Sequence, residues 1–138
     1  MSEQTGQCLC GSIHYKITAE PLLTAVCHCT HCQKATGSAY SINIGVPADG
    51  FHVDGDTLST YVDKGDSGQD LRRYFCNNCG SPIYTEADVM PGMSIVKAGT
   101  LDDTSSFTPG INIFCQSKMA WLNDNGETVD FEQMPPAG

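Results

Sequence analysis

Apolar and polar positions alternate over residues 12–17, which places Ile13, Tyr15 and Ile17 on one face of an extended segment. The same period of two runs through residues 40–46, with Tyr40, Ile42, Ile44 and Val46 together. Residues 58–62, 71–75, 94–98 and 111–115 read as further strands, separated by the Gly, Pro, Asp and Asn clusters that turns require. One short helix is expected at Thr30–Thr36, with Gly37 as its stop. Residues 65–70 read as a mobile loop, and residues 135–138 as a frayed tail behind a single domain of residues 1–134. Several short strands with little helix predict an all-β fold.

The cysteines change this picture. Eight in 138 residues is a heavy load, and small domains often lean on metals or disulfides. The N-terminal residues lack a charged start followed by an apolar run, and no apolar stretch approaches the roughly 20 residues of a membrane helix. The expected setting is cytoplasmic, with no membrane partner, and there cysteines are read first as thiolate ligands. The net charge is −9, from seven Lys and Arg against sixteen Asp and Glu. With no basic cluster denser than Arg72-Arg73, nucleic acid is not an expected partner.

The cysteines fall into groups. Cys8-Leu9-Cys10 is followed by Gly11, and Cys76-Asn77-Asn78-Cys79 by Gly80. Each is a tight turn whose glycine lets backbone amides approach the sulfurs. Two such pairs supply the four ligands a structural zinc needs, so Cys8, Cys10, Cys76 and Cys79 are expected to form one closed site. It would close a loop of roughly 65 residues, and its contribution to folding would be on the order of 10 kcal/mol. Cys115 stands alone and reads as a small buried hydrophobe.

Cys27, Cys29 and Cys32 remain, on a short helical turn. Three thiolates can hold a second zinc and leave a fourth position open, as catalytic sites do. They donate strongly, so the metal would acidify water less than a three-histidine site would. A soft thiol is the better fourth ligand, held as thiolate near neutral pH against a free thiol pKa of about 8.5. That points to carbon–sulfur bond chemistry between a small-molecule thiol and an electrophile. Three other readings stay open: a second structural site closed by Cys115 or a histidine, a redox pair, and an iron–sulfur cluster. His28 and His31 read as neighbours of the metal rather than ligands, and His14 and His52 as ordinary strand residues.

These motifs resemble the glutathione-dependent formaldehyde-activating enzymes, a family that includes centromere protein V-like members. The likeness runs from Cys8 to Trp121. It takes in Cys8-x-Cys10-Gly11, Cys27-His28-Cys29-x-x-Cys32, Thr36-Gly37-Ser38 and Phe75-Cys76-x-x-Cys79-Gly80-Ser81. It continues through Gly99-Thr100-Leu101-Asp102-Asp103 and Ile113-Phe114-x-x-Ser117-Lys118-x-x-Trp121. The resemblance implies a β-tent fold with zinc knuckles, a structural zinc on Cys8, Cys10, Cys76 and Cys79, and a catalytic zinc on Cys27, Cys29 and Cys32. It also implies a carbon–sulfur lyase activity that joins glutathione and formaldehyde, or parts them. The sequence departs from the common pattern at Gln33-Lys34 and at Asn112. Lys34 and Lys118 are candidates to pair with a substrate carboxylate, and Ser38, Asn112 and Trp121 to line the pocket. The rival expectation is a non-enzymatic zinc-binding module that recruits a protein partner.

Overall fold

The computed structural model describes residues 3–65, 67–105, 107–122 and 129–135. Its strands in chain order are β1 (Gln4–Gln7), β2 (His14–Ile17), β3 (Leu23–Cys27), β4 (Ser41–Pro47), β5 (Phe51–Asp54), β6 (Leu58–Lys64), β7 (Asp70–Cys76), β8 (Pro82–Ala87), β9 (Met93–Lys97), β10 (Ile111–Ile113) and β11 (Val129–Asp130). The helix α1 spans Thr30–Thr36. The fold is all-β, as the alternation predicts. Pro136–Gly138 of the expected tail and Asp66 of the expected loop lie outside the described residues. The rest of that loop is a hairpin turn in which the Gly65 amide donates to the Gln69 carbonyl, between the paired Lys64 and Asp70. Among the described residues no helix is long and apolar enough to cross a membrane.

Two sheets carry the architecture. A small antiparallel sheet has the order β1-β2-β5, and a large one the order β11-β10-β3-β4-β9-β8-β7-β6. The core lies where they face each other. Tyr15 and Ile17 of β2 and Phe51 of β5 pack with Ile44 and Val46 of β4, Tyr84 of β8 and Val96 of β9. Ile17, Val46 and Val96 are essentially inaccessible to solvent. Each such side chain contributes about 1.5–3 kcal/mol of burial.

The other face of the large sheet builds the site. Successive strand residues point to opposite faces, so the neighbours of the core residues project the other way. On β4, Ile44 and Val46 enter the core while Ser41 and Asn43 line a cavity. Register extends that row, because Ala25 pairs with Asn43, Asn43 with Lys97, and Cys27 with Ser41. One step along, Ile95 pairs with Thr85, and Thr85 with Arg73. A parallel pairing of β3 with β10 brings Ile113 beside Cys27.

Candidate metal centres

The four sulfurs of Cys8, Cys10, Cys76 and Cys79 lie within 4.8 Å of one another. Cys8 Sγ and Cys10 Sγ are 3.6 Å apart, and Cys10 Sγ and Cys76 Sγ 3.8 Å. A tetrahedron with metal–sulfur bonds of about 2.3 Å has edges of about 3.8 Å, so the quartet fits a zinc ion. Gly11 and Gly80 hold φ of 82° and 83°, a left-handed turn that glycine adopts without steric cost. Those turns aim backbone amides at sulfur: Ile13 N–H at Cys8 Sγ (3.3 Å), Asn78 N–H and Cys79 N–H at Cys76 Sγ (3.4 and 3.5 Å). The Ser12 hydroxyl beside Cys10 draws its thiol down to about 7, and Ser81 beside Cys79 draws that thiol to about 5. Burial raises Cys8. Amides and hydroxyls around the quartet are thus placed to offset sulfur charge.

Cys27, Cys29 and Cys32 also bring their sulfurs within 4.8 Å of one another. Cys27 ends β3, Cys29 is the N-cap of α1, and Cys32 lies in its first turn. The Cys29 sulfur accepts from Cys32 N–H at 3.2 Å, taking the place a Ser or Asp oxygen takes at other helix starts. Gly37, at φ 66°, ends the helix with its amide on the Gln33 carbonyl. The three sulfurs share hydrogen bonds. Those from Cys27 and then Cys29 lower Cys32, while those to Cys29 and Cys32 raise Cys27. Among the described residues, neither Cys115 nor a histidine brings a ligand atom within the same span of all three. None of the eight cysteines is in a disulfide.

The triplet opens on a cavity of about 220 Å³. Its walls are largely apolar, with Leu23, Leu71, Ile95 and Phe114 among them. Phe114 is bulky yet holds φ 57°, a backbone cost that turns the chain sharply after β10. A second cavity of about 470 Å³ adjoins it, and His31, Ser41, Arg73, Thr85 and Lys97 line both. Lys97 Nζ donates to Asn43 Oδ1 at 2.7 Å, and burial lowers the pKa of this half-buried ammonium. Asp63 accepts from His31 Nδ1 at 2.9 Å and from Arg73 Nε at 3.1 Å. Burial would raise the Asp63 carboxyl, but those two hydrogen bonds outweigh it and hold the group below its ordinary value.

A sequence profile described as glutathione-dependent formaldehyde-activating enzyme matches residues 3–117, a span that holds both cysteine clusters. The chain belongs to the glutathione-dependent formaldehyde-activating family. A relative from Podospora anserina, provisionally named a glutathione-dependent formaldehyde-activating enzyme, is 36% identical over 87 residues, 58% of this chain and 38% of that protein. An uncharacterized lyase from Schizosaccharomyces pombe is 29% identical over 84 residues, 61% of this chain and 58% of that protein. The chain thus spans about two-fifths and three-fifths of the curated relatives it matches. A Rhodobacter sphaeroides protein of known crystal structure shares the fold, with a TM-score of 0.57 at 19% identity over 76% of this chain and 91% of that one.

Within this family member, the residues flanking the cysteines make specific contacts. The Gln33 side chain donates to the carbonyls of His28 and Ser117, both at 2.9 Å, and pins α1 to the turn after β10. Buried His28 hydrogen-bonds Asn112 Oδ1 through Nε2 at 3.0 Å, and Asn112 donates to Asp130. Asn112 therefore holds His28 and lines neither cavity. Ser38 accepts the Tyr40 amide in the turn after the helix, and Trp121 is 69% exposed. Neither lines a cavity, which corrects the expectation for all three. Lys34 lines the second cavity, and Lys118 lies outside both linings. Among the polar residues that do line the first cavity, Asn43, Thr85 and Lys97 went unremarked in the sequence, and Arg73 entered only as half of a basic pair. A signal for one was present: Asn43 is polar between Ile42 and Ile44.

Proposed function

We propose that the protein is a zinc-dependent enzyme of carbon–sulfur lyase type. It would make or break the adduct of a glutathione-like thiol with a small aldehyde, formaldehyde being the simplest. One observation carries the reading: the quartet completes a four-sulfur set from its own two turns, whereas the triplet offers three sulfurs and faces a cavity. Cys8, Cys10, Cys76 and Cys79 would hold a structural zinc, and Cys27, Cys29 and Cys32 a catalytic one. Zinc bound at the triplet would supply a soft acceptor that favours the thiolate form of an incoming thiol.

The chain's own residues do the rest. In the forward direction the thiol sulfur forms a bond to the carbonyl carbon, the carbon–oxygen π pair moves to oxygen, and the thiol proton ends there. The apolar walls of the smaller cavity exclude water from that exchange. Lys97, fixed by Asn43, and Arg73, fixed by Asp63, put positive charge on the wall of the cavity that the three sulfurs face. The family membership and the lyase name of one relative support the same reaction class.

Cobalt substitution tests this. Sulfur-to-cobalt bands of the triplet should change saturably on adding glutathione, and the change should vanish in Cys29→Ser. Glutathione with formaldehyde should then form the hemithioacetal faster than the spontaneous rate. Binding without acceleration would reject formaldehyde. Silence toward every small thiol would reject the enzyme and favour a binding module.

A further inference from the structure

The chain is acidic, yet its few cations are unevenly placed. Lys16 pairs with Glu3, Lys64 with Asp70, and Arg72 with Glu86 and Asp88. Lys34, Arg73 and Lys97, three of the seven, line the two cavities. Lys97 donates to the neutral amide of Asn43 and lies near the triplet's sulfurs, and among the described residues no carboxylate lies within ion-pair distance of it. Arg73 engages Asp63 through Nε, which leaves the two terminal amines of its fork for another acceptor.

A separate observation falls on the same spot. Thr85 is 3% exposed, its Oγ1 has no hydrogen-bond partner among the described residues, and it lines both cavities. A buried hydroxyl without a partner costs about 1–3 kcal/mol, so a structure that keeps one at a cavity wall is shaped for something that enters. Arg73 pairs with Thr85 across β7 and β8, Thr85 with Ile95 across β8 and β9, and Lys97 lies two residues beyond Ile95 on the same face. A guanidinium, a hydroxyl and an ammonium thus share one patch where the cavities meet.

We propose that Arg73, Thr85 and Lys97 form an anion subsite that takes a carboxylate of the thiol substrate, so that the protein selects acidic thiols over neutral ones. This rests on the thiol-binding reading of the triplet. A carboxylate offers two oxygens with about four acceptor positions, enough for the fork, the hydroxyl and the ammonium together. The triplet opens on the first cavity and the subsite borders it, so sulfur and carboxylate can belong to one molecule. The larger cavity, with Lys34 and Tyr61 on its wall, takes the remainder.

S-methylglutathione and its dimethyl ester are the probes, because a thioether reports the subsite without a thiol. In calorimetric titration of the zinc-loaded protein the acid should bind saturably, and the ester about tenfold more weakly or worse. Thr85→Val and Lys97→Gln should each lower the acid's affinity about tenfold and leave the ester's unchanged. Equal binding of acid and ester, no binding of the acid, or full affinity in both variants would overturn the subsite. In the last case Lys97 would serve only to offset the sulfur charge of the triplet. If the acid does not bind while neutral 2-mercaptoethanol shifts the cobalt bands, the subsite falls and the thiol reading stands. If the acid binds as expected while no thiol shifts those bands, the subsite stands and the thiol reading falls.

Discussion

Cys10 and Cys76 meet from positions 66 residues apart, and with Cys8 and Cys79 they turn their sulfurs on one another beside amide and hydroxyl groups. Cys27, Cys29 and Cys32 come from one strand end and the first turn of one helix, and their sulfurs look into a cavity. The ligand atoms are the same, so their chemistry does not distinguish the clusters. Sequence separation and surroundings do. A cluster that joins distant turns constrains the chain, whereas a cluster built within one stretch constrains little and has an approach left open. Stability is therefore expected to follow the first and reactivity the second.

Substitution should separate the two. Cys79→Ser removes a ligand that ties β7 to the N-terminal turn; it should cost about 5 kcal/mol and lower Tm by on the order of 15 °C, or abolish a cooperative transition. Cys29→Ser should lose one metal ion per chain in elemental analysis while Tm stays within about 5 °C of the parent. Equally low melting of both proteins would erase the contrast. Wild-type protein purified without chelator should approach two zinc ions per chain, and iron with visible absorption in their place would replace the metal assignment.

Finer effects sharpen the boundary of the triplet. Asp63→Asn loosens the hold on Arg73 and His31 and should cost about 1 kcal/mol. The sign with pH follows from a folded carboxyl held below its ordinary 3.8. Its contribution is complete above that value and fades as the pH falls through the folded one, so melts of the two proteins should converge only in that acid range. Cys115→Ser should change least: the metal count stays the same, because Cys115 joins neither cluster. A count falling by one would show that Cys115 closes the triplet.

Much of this was legible in the chain. Alternation over residues 12–17 and 40–46 marks β2 and β4, and Gly37 stops α1 because the helix ends in a left-handed turn there. The turns behind Cys8-x-Cys10 and Cys76-x-x-Cys79 announce the quartet through Gly11 and Gly80. Strand β3 did not announce itself. It is flanked by β4 and β10, and its run of Leu23, Thr24, Ala25, Val26 and Cys27 has no clean alternation. Strand β8, which carries Thr85, begins with Pro82 and mixes buried residues on both faces. The patch of Arg73, Thr85 and Lys97 exists only through cross-strand register, a long-range property that no local spacing encodes.

The separation between the quartet's two turns also sets an order in time. During synthesis from the N-terminus, Cys27, Cys29 and Cys32 emerge almost together, whereas Cys8 and Cys10 wait for Cys76 and Cys79. A nascent chain can therefore assemble the triplet's ligand set while the quartet is still half made. The site expected to react is offered to metal first, before the ligands that fasten the fold have all been made.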